Sequence, residues 1–479
     1  MKRLKIGLIG TSQLSFPGDK EERFKRSADG LKKLSGELFF ELFLINDTII
    51  DTEQAEKAVI QCKQNDVDFL LVQCTSYSAG MIAPVLAKSG INLGLWAIPE
   101  EMSDGVLPLN SFCSINMYAS IIRHYCKEYD VLYKWFFGNV GDDIFLKRFR
   151  ITVKALNAIK KLKQSKIALV GGIAPGFDDL YFDERILEKT FTGVKINRLH
   201  EFSEIKERAL SYTCEDLKDI RDAMLEEPKS IHPKSKEMLE TNARIYKAYK
   251  DFISDYGYDA LAISCWPKFQ EVFQFSVCDV VARLNDDGIA VACEGDLPSA
   301  MSMLMMQYLS GSPTMLMDLS VFDEKDETVL LWHCGPAAKN FVNDKGYSYG
   351  GNYHGLPHTK GQEPNCCGIT RDMVFKPGHI TISRITGEGN ELFLAEGDII
   401  ENYKKSFFGS RGWLGNLKLN RENISVLDFI NTILVKGFQH HYPVAAGDLS
   451  QEIMEIAAWL KLSLVSKIEY KDYMQNNGD

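Results

Sequence analysis

The sequence predicts an α/β protein: two Rossmann-like doubly wound parallel-sheet domains followed by a C-terminal, mainly antiparallel β domain. Short apolar runs and helical patterns alternate from residue 5 to residue 98 with short loops between them, which is typical of a parallel sheet. The same alternation starts again at residue 166. After Gly311 it gives way to β-rich runs separated by Gly, Pro and Asn clusters, as in antiparallel strands. We therefore expect three domains, at 1–163, 164–311 and 312–479.

The first domain is predicted from its short apolar strands. We expect strands at 5–10, 39–45, 69–72 and 93–98, and helices at 21–34, 52–65, 79–88 and 143–163. The glycine turn after the first strand lacks the spacing of GxGxxG and GxxxxGK[ST], so it predicts a tight β–α turn and no nucleotide site. Segments 107–118 and 133–138 combine polar and aromatic residues. This fits either the rim of a sugar-binding cleft or aromatic packing at a contact between domains.

The second domain shows the same alternation of strands and helices as the first. We expect strands at 166–170, 260–263 and 289–292, and helices at 183–191, 202–210, 214–225, 235–256, 278–284 and 300–309. The sequence NDDG at 285–288 is a helix stop signal. The glycine-rich loop 171–177 carries no lysine or phosphate-binding pattern, so it predicts no nucleotide either.

Carboxylates follow two strands of the second predicted sheet. Glu271 comes after strand 260–263, and Glu294 and Asp296 come directly after strand 289–292. In open α/β sheets this edge is where ligands bind. Asp296 also precedes a helix, where an acid is favoured as an N-cap. The alternative is a divalent metal site, because hard cations take carboxylate oxygens from distant segments.

The third domain is predicted to be β-rich, with runs at 314–321, 328–332, 379–386, 390–401 and 424–438 and a last helix at 450–462. The long loop 344–367, rich in Gly, Tyr and His, fits a lid, an oligomer contact or a surface excursion.

Histidines of the third domain are candidate metal ligands. His333 ends an apolar strand, and the pair His440 and His441 precedes a glycine turn. Adjacent strand residues face opposite sides, so we expect at most one of the pair to reach a given metal. Two or three carboxylates with one imidazole favour Mn²⁺ or a similar ion. His354 and His358 lie in the long loop and are left unassigned.

Composition excludes several classes of protein. The 479 residues carry a net charge of −10 without a basic block, which argues against nucleic acid and anionic membranes as partners. No apolar run approaches the ~20 residues of a membrane span. The N-terminal apolar run is too short for a signal peptide and predicts a first strand. Eleven cysteines without CxxC spacing indicate a reducing compartment without disulfides or structural zinc, so we expect a cytoplasmic protein.

Several short motifs resemble the L-fucose/L-arabinose isomerase superfamily. They are CWP at 265–267, CEGD at 293–296, residues 315–318, WHCG at 332–335, HH at 440–441 before GD at 447–448, and the segments 107–117 and 133–138. Their order covers most of the chain. The resemblance implies two α/β domains with a β domain, Mn²⁺ (or another divalent ion such as Co²⁺ or Mg²⁺), and aldose–ketose isomerisation. It also implies a homo-oligomer, trimer or hexamer, whose cleft is completed by a neighbour's first domain.

By position, the resemblance assigns Glu271, Asp296 and His441 to the metal, with Glu294 and His440 as alternates. Glu271 and Asp296 would also serve as acid and base through a cis-enediol(ate) intermediate. Candidate substrate-binding residues are Trp266, Trp332, His333 and Trp413.

Candidate substrates are L-fucose, arabinose and related deoxy or sulfonated hexoses. Lys134, Lys345 and Arg411 are candidates to meet an anionic substituent. Competing hypotheses are a metal-dependent epimerase or lyase of sugars or sugar acids, and a non-catalytic sugar-binding protein.

Overall fold

The computed structural model describes residues 3–350, 368–401 and 404–475. Its internal contacts divide the chain into two compact units, Met1–Lys160 and Lys161–Asp479. The boundary predicted at residue 311 falls inside the second unit and stays a prediction. Most of the loop 344–367, with His354 and His358, lies outside the described residues.

The first unit is built on a five-stranded parallel sheet in the order β2-β1-β3-β4-β5. Its strands are β1 (Leu4–Thr11), β2 (Phe40–Leu44), β3 (Phe69–Cys74), β4 (Asn92–Ala97) and β5 (Tyr133–Phe137). Its helices are α1 (Lys20–Leu38), α2 (Thr52–Gln64), α3 (Ile82–Lys88), α4 (Ser111–Tyr125) and α5 (Asp143–Lys163), whose last residues enter the second unit. The parallel α/β prediction is confirmed, and the two aromatic segments contribute α4 and β5.

The second unit begins with a four-stranded parallel sheet in the order β10-β9-β6-β7. Its strands are β6 (Lys166–Val170), β7 (Lys195–His200), β9 (Ala260–Ile263) and β10 (Ala290–Ala292), and β8 (Ser230–Ile231) pairs elsewhere. The helices are α6 (Glu184–Thr190), α7 (Phe202–Ser211), α8 (Lys218–Glu226), α9 (Pro233–Glu237), α10 (Leu239–Tyr256), α11 (Lys268–Phe273), α12 (Cys278–Asp286) and α13 (Leu297–Ser310). As predicted, the two acid-bearing segments follow adjacent strands, β9 and β10.

Six antiparallel strands of the same unit close into a ring. In order around the ring they are β11 (Met315–Asp323), β12 (Thr328–His333), β17 (Ser410–Leu419), β16 (Glu391–Ile399), β15 (Gly378–Ile385) and β19 (His441–Ala446). The short strands β13 (Ser348–Tyr349), β14 (Arg371–Val374), β18 (Glu422–Asn423) and β20 (Ser463–Leu464) extend it. This barrel-like sheet confirms the predicted antiparallel C-terminal part.

One predicted β-rich run is wrong. Residues 426–436 form helix α14 (Val426–Lys436), followed by α15 (Ser450–Leu460) near the C-terminus. Ser425 caps α14 by accepting from the Asp428 N–H, and Gly437 ends it with a left-handed conformation at φ 65°. These are start and stop signals of a helix, and they outweigh the β-branched content of the segment.

None of the helices in the described part of the chain combines the length and the apolar character that crossing a bilayer needs.

Candidate active site

A cavity of about 300 Å³ lies in the second unit, beyond the carboxyl ends of β9 and β10. This volume is at the lower end of the range of small-molecule sites. Its lining combines aromatic rings, thiols and acids: Phe177, Cys265, Trp266, Gln270, Ser276, Val277, Cys278, Glu294, Asp318, Trp332, His333 and Cys334.

Glu294 enters the cavity from the turn between β10 and α13. It has a left-handed backbone with φ 60°, which is uncommon outside glycine and typical of functional positions. Gly295 follows at φ 77°, and a Cβ there would stand 2.3 Å from the Gly172 carbonyl oxygen. Only glycine fits this tight turn, which fixes the direction of the preceding carboxylate.

Asp318 faces Glu294 from the barrel side of the cavity. On β11 it is paired in register with His441 of β19 and with Trp332 of β12. Burial raises the pKa of Asp318 to about 6, although His441 and His440 lower it. Its Oδ1 is buried without a hydrogen-bond partner among the described residues and lies 3.9 Å from His441 Nε2. No role was predicted for Asp318; the available signal was a lone acid after the apolar residues 315–317.

His441 contacts a carboxylate through each of its two ring nitrogens. Its Nε2 lies 3.4 Å from Glu294 Oε2, while its Nδ1 lies 3.0 Å from Asp296 Oδ2. A carboxylate can only accept, so Nδ1 donates to Asp296, and Nε2 is the ring nitrogen that faces Glu294 and Asp318.

Asp296 does not line the cavity. It caps α13 by accepting from the Ser299 N–H, and Arg384 binds both of its oxygens at 2.6 and 3.2 Å. Burial alone would raise the pKa of Asp296, but Arg384 and His441 hold it well below its usual range. With the Ser299 hydroxyl at 2.7 Å as well, its lone pairs are occupied, and it orients His441 from behind.

His440 lies beside the acids in a different role. Its Nε2 is 3.1 Å from Glu294 Oε2 and its Nδ1 is 2.7 Å from Asp179 Oδ2. Burial lowers the pKa of His440, but the bonds to Glu294 and Asp179 raise it overall to about 9. The ring is therefore a cation at neutral pH, and it donates to Glu294.

His333 and two tryptophans form much of the remaining wall. His333 Nδ1 accepts from the Cys334 N–H at 2.8 Å, so the neutral ring carries its proton on Nε2 as a donor. Trp266 packs edge-on against Phe177 with ring centroids 6.1 Å apart, and Trp332 donates its indole N–H to the Phe408 carbonyl. Three of the four candidate substrate-binding residues, Trp266, Trp332 and His333, line the cavity.

Other predicted residues lie elsewhere. Glu271 is exposed on α11, and neither it nor Trp413 is among the residues that line the cavity. Trp413 is buried in β17 beneath the ammonium of Lys404, 4.5 Å from its ring centre.

The candidates for an anionic substituent are likewise not in the lining. Lys134 donates to Thr152 within the first unit, and Arg411 is paired with Asp372. Lys345 is also absent from the lining, and no Lys or Arg occurs among the described residues that line this cavity.

The side chains present fit a divalent ion. Donor atoms of Glu294, His440 and His441 lie within 4.8 Å of one another, as do those of Asp318, His333 and His441. His441 is common to both groups, and its Nε2 has no hydrogen-bond partner among the described residues. Glu294, Asp318 and His441 are thus residues that could hold such an ion, with His440 and His333 beside them.

Curated proteins provide an independent comparison. The chain is 28% identical over 375 residues to a sulfoquinovose isomerase of Clostridium sp. (strain MSTE9), covering 77% of this chain and 79% of that protein. It is 25% identical over 420 residues to the sulfoquinovose isomerase of Priestia aryabhattai, covering 86% and 89%, and 25% identical over 426 residues to that of Alkalicoccus urumqiensis, covering 85% and 88%. The chain is a sugar isomerase. The prediction of an intramolecular oxidoreductase of sugars is thereby confirmed.

No protein-family model matches the chain. Among solved structures, a periplasmic solute-binding protein of Actinobacillus succinogenes 130z with bound D-allose aligns over 65% of this chain and 93% of its own at 12% identity, with a TM-score of 0.17. A TM-score this low indicates neither a shared fold nor a shared function.

Proposed function

We propose that this isomerase is a metal-dependent aldose–ketose isomerase that acts on a sulfonated sugar and is related to the L-fucose/L-arabinose isomerases. Three relatives named sulfoquinovose isomerase, each aligned over most of its length, support the substrate class. The observation that carries the mechanism is the Nε2 of His441, which faces Glu294 at 3.4 Å and Asp318 at 3.9 Å.

The proposed ligands are Glu294, Asp318 and His441, in place of the set with Glu271 and Asp296 expected from the sequence. Two carboxylates and one imidazole suit Mn²⁺, with Co²⁺ or Mg²⁺ as alternatives. When bound, such an ion would act as a Lewis acid and template for two adjacent sugar oxygens.

The chain's own groups supply the proton transfers. Moving a carbonyl from C1 to C2 requires that a proton leaves C2 and one returns at C1, while the O2 hydroxyl gives up its proton and O1 gains one. Asp318 lines the cavity, and its carboxylate would take the proton from C2 and return one at C1. Glu294, which accepts from cationic His440, is the second carboxylate within reach, and the His333 Nε2–H is positioned to donate to a sugar oxygen.

A cation would recognise the sulfonate best, and no Lys or Arg is among the described residues that line this cavity. We expect that this cation comes from a neighbouring copy, as in the predicted homo-oligomer whose cleft is completed by another subunit. Phe177 and Trp266 provide an apolar wall for the sugar ring.

The test is an exchange assay in D₂O with sulfoquinovose, L-fucose and arabinose. We expect deuterium uptake and ketose formation with the sulfonated sugar, loss of both after chelation, and recovery with Mn²⁺. Asp318→Asn should reduce kcat/KM by at least about 100-fold, as expected for loss of a proton-transferring group, whereas Asp372→Asn, outside the cavity, should not. Full activity of the metal-free enzyme would contradict the proposal.

A further inference from the structure

A second cluster of metal-ligating side chains lies in the barrel-like sheet, away from the cavity. Donor atoms of His379, Glu396 and Asp448 lie within 4.8 Å of one another. His379 is on β15, Glu396 is on β16, and Asp448 follows β19. His441, at the cavity, is the first residue of β19, and Asp448 of the second cluster lies just after the last residue of that strand. At about 3.3 Å per residue, the cavity and the second cluster are about 20 Å apart.

His379 is held in the orientation of a ligand. Its Nδ1 lies 2.8 Å from Asp398 Oδ1, and Asn416 donates to the other oxygen of Asp398 at 2.9 Å. Nδ1 thus faces Asp398 and Nε2 faces Glu396, as in carboxylate–histidine–metal arrangements.

Glu396 supplies an independent sign of a ligand. The residue is 1% exposed, and its Oε1 is buried without a hydrogen-bond partner in the described part of the chain. Lys418 Nζ approaches that oxygen only to 3.7 Å. Glu396 Oε2 stands 3.4 Å from His379 Nε2, about the separation of two ligands on one tetrahedral ion with bonds of about 2.1 Å.

Asp448 closes the open side of the cluster. It accepts from the Ser450 N–H and is paired with Arg421 at 3.2 Å, so its position is fixed before any ion binds. Its side chain is 46% exposed, which leaves room for water ligands. Ordinary capping and ion pairing explain Asp448 alone, but they do not explain why Oε1 of the buried Glu396 lacks a hydrogen bond beside His379.

We propose that His379, Glu396 and Asp448 form a second divalent metal site that is separate from the catalytic cavity. One imidazole nitrogen and two carboxylates suit a first-row divalent ion such as Zn²⁺. The site joins β15, β16 and the turn before α15, so its occupancy stabilises the barrel-like sheet and leaves the isomerase chemistry unchanged.

The test uses the full chain with the first site disabled by Glu294→Gln and Asp318→Asn. After chelation, calorimetric titration with Zn²⁺ should show one remaining site per chain and a rise in Tm on loading. Adding His379→Asn should weaken this site at least tenfold. His124→Asn, an exposed histidine on α4, is the matched control and should change nothing.

If His379→Asn fails to fold, Asp448→Asn, at an exposed carboxylate, replaces it and should weaken Zn²⁺ binding at least tenfold. His379→Asn in the otherwise native chain should retain Mn²⁺-dependent isomerase activity. The proposal is overturned if the doubly disabled chain binds no Zn²⁺, or binds it equally with and without His379.

Discussion

The two ring nitrogens of His441 have different tasks, and the sequence reveals only one of them. Strand alternation predicted that at most one of the two adjacent histidines would reach a given metal, with His441 preferred. Both rings contact Glu294, because His440 precedes β19 and alternation does not apply to the pair. The role of Asp296 depends on Arg384, which is 88 residues away in sequence, so no local pattern could separate an orienting acid from a ligand. Asp318 was missed because its proximity to His441 arises from strand register within the barrel.

Protons and metal should compete at Asp318. Its pKa of about 6 is raised by burial, so the carboxyl is increasingly protonated below pH 6 and a cation must displace that proton. We expect the apparent Mn²⁺ affinity to fall by up to about tenfold per pH unit below pH 6, because one more proton is released on binding. Calorimetry at pH 5, 6, 7 and 8 measures this slope. The slope should be smaller in Asp318→Asn, and an unchanged slope would contradict the role of this carboxyl.

Replacing Asp296 with Asn should weaken both the fold and the metal site. The buried Arg384 would lose its partner, which costs about 3–5 kcal/mol, and His441 would lose its orienting acceptor, which costs about 10–100-fold in metal affinity. The depressed pKa means that Asp296 stabilises the protein above the ordinary Asp value of about 3.9 and that this stability is lost as pH falls.

Asp183→Asn is the matched control for that experiment, since Asp183 caps α6 without a buried cation. Urea unfolding should show a loss of at most about 1 kcal/mol for this N-cap change. Equal losses for the two variants would mean that capping, and not the Arg384 pair, explains Asp296.

At the scale of elements, apolar runs and caps predict well where strands and helices lie. The exception is α14, whose β-branched residues predicted a strand. The serine cap and the glycine that ends it favour a helix instead, and the segment is helical. The turn after β10 was recognised as a site from its position at the sheet edge. Its left-handed Glu294 was not foreseen, because that conformation depends on the close approach of the 171–177 loop.

The matched variants Gly295→Ala and Gly288→Ala test whether the close contact between Gly295 and the 171–177 loop fixes the conformation of Glu294. Both glycines have positive φ, 77° and 81°, but an added Cβ meets the Gly172 carbonyl only at Gly295 and open space at Gly288. We expect Gly288→Ala to cost about 1 kcal/mol from backbone strain alone. Gly295→Ala should cost more than about 2 kcal/mol and abolish isomerase activity, because Glu294 must move. Thermal unfolding and kcat/KM measure both effects, and similar results for the pair would refute the steric argument.

At the scale of the whole molecule, the alternation of elements predicts the two parallel sheets and the change to antiparallel strands. It does not predict how the second parallel sheet is joined to the barrel within one unit. Part of that junction is a buried ion network. Arg371 of β14 binds Asp279 at 2.8 Å and Asp286 at 2.7 Å, both on α12, and Arg283 also pairs with Asp279. Such partners are far apart in sequence, so charge patterning along the chain does not reveal them.

Arg371→Met should therefore destabilise the second unit strongly. Two buried carboxylates would lose their shared cation, which costs about 3–5 kcal/mol. Burial alone raises the pKa of Asp279, but Arg371 and Arg283 lower it overall, so its stabilisation is present above about pH 3.9 and is lost as pH falls. Urea unfolding at pH 7 and pH 3 measures this, and the loss caused by Arg371→Met should be smaller at pH 3. Lys471→Met removes an exposed partner of Glu469 and should cost at most about 1 kcal/mol. An Arg371 variant as stable as this control would show that the network does not hold the parallel sheet to the barrel.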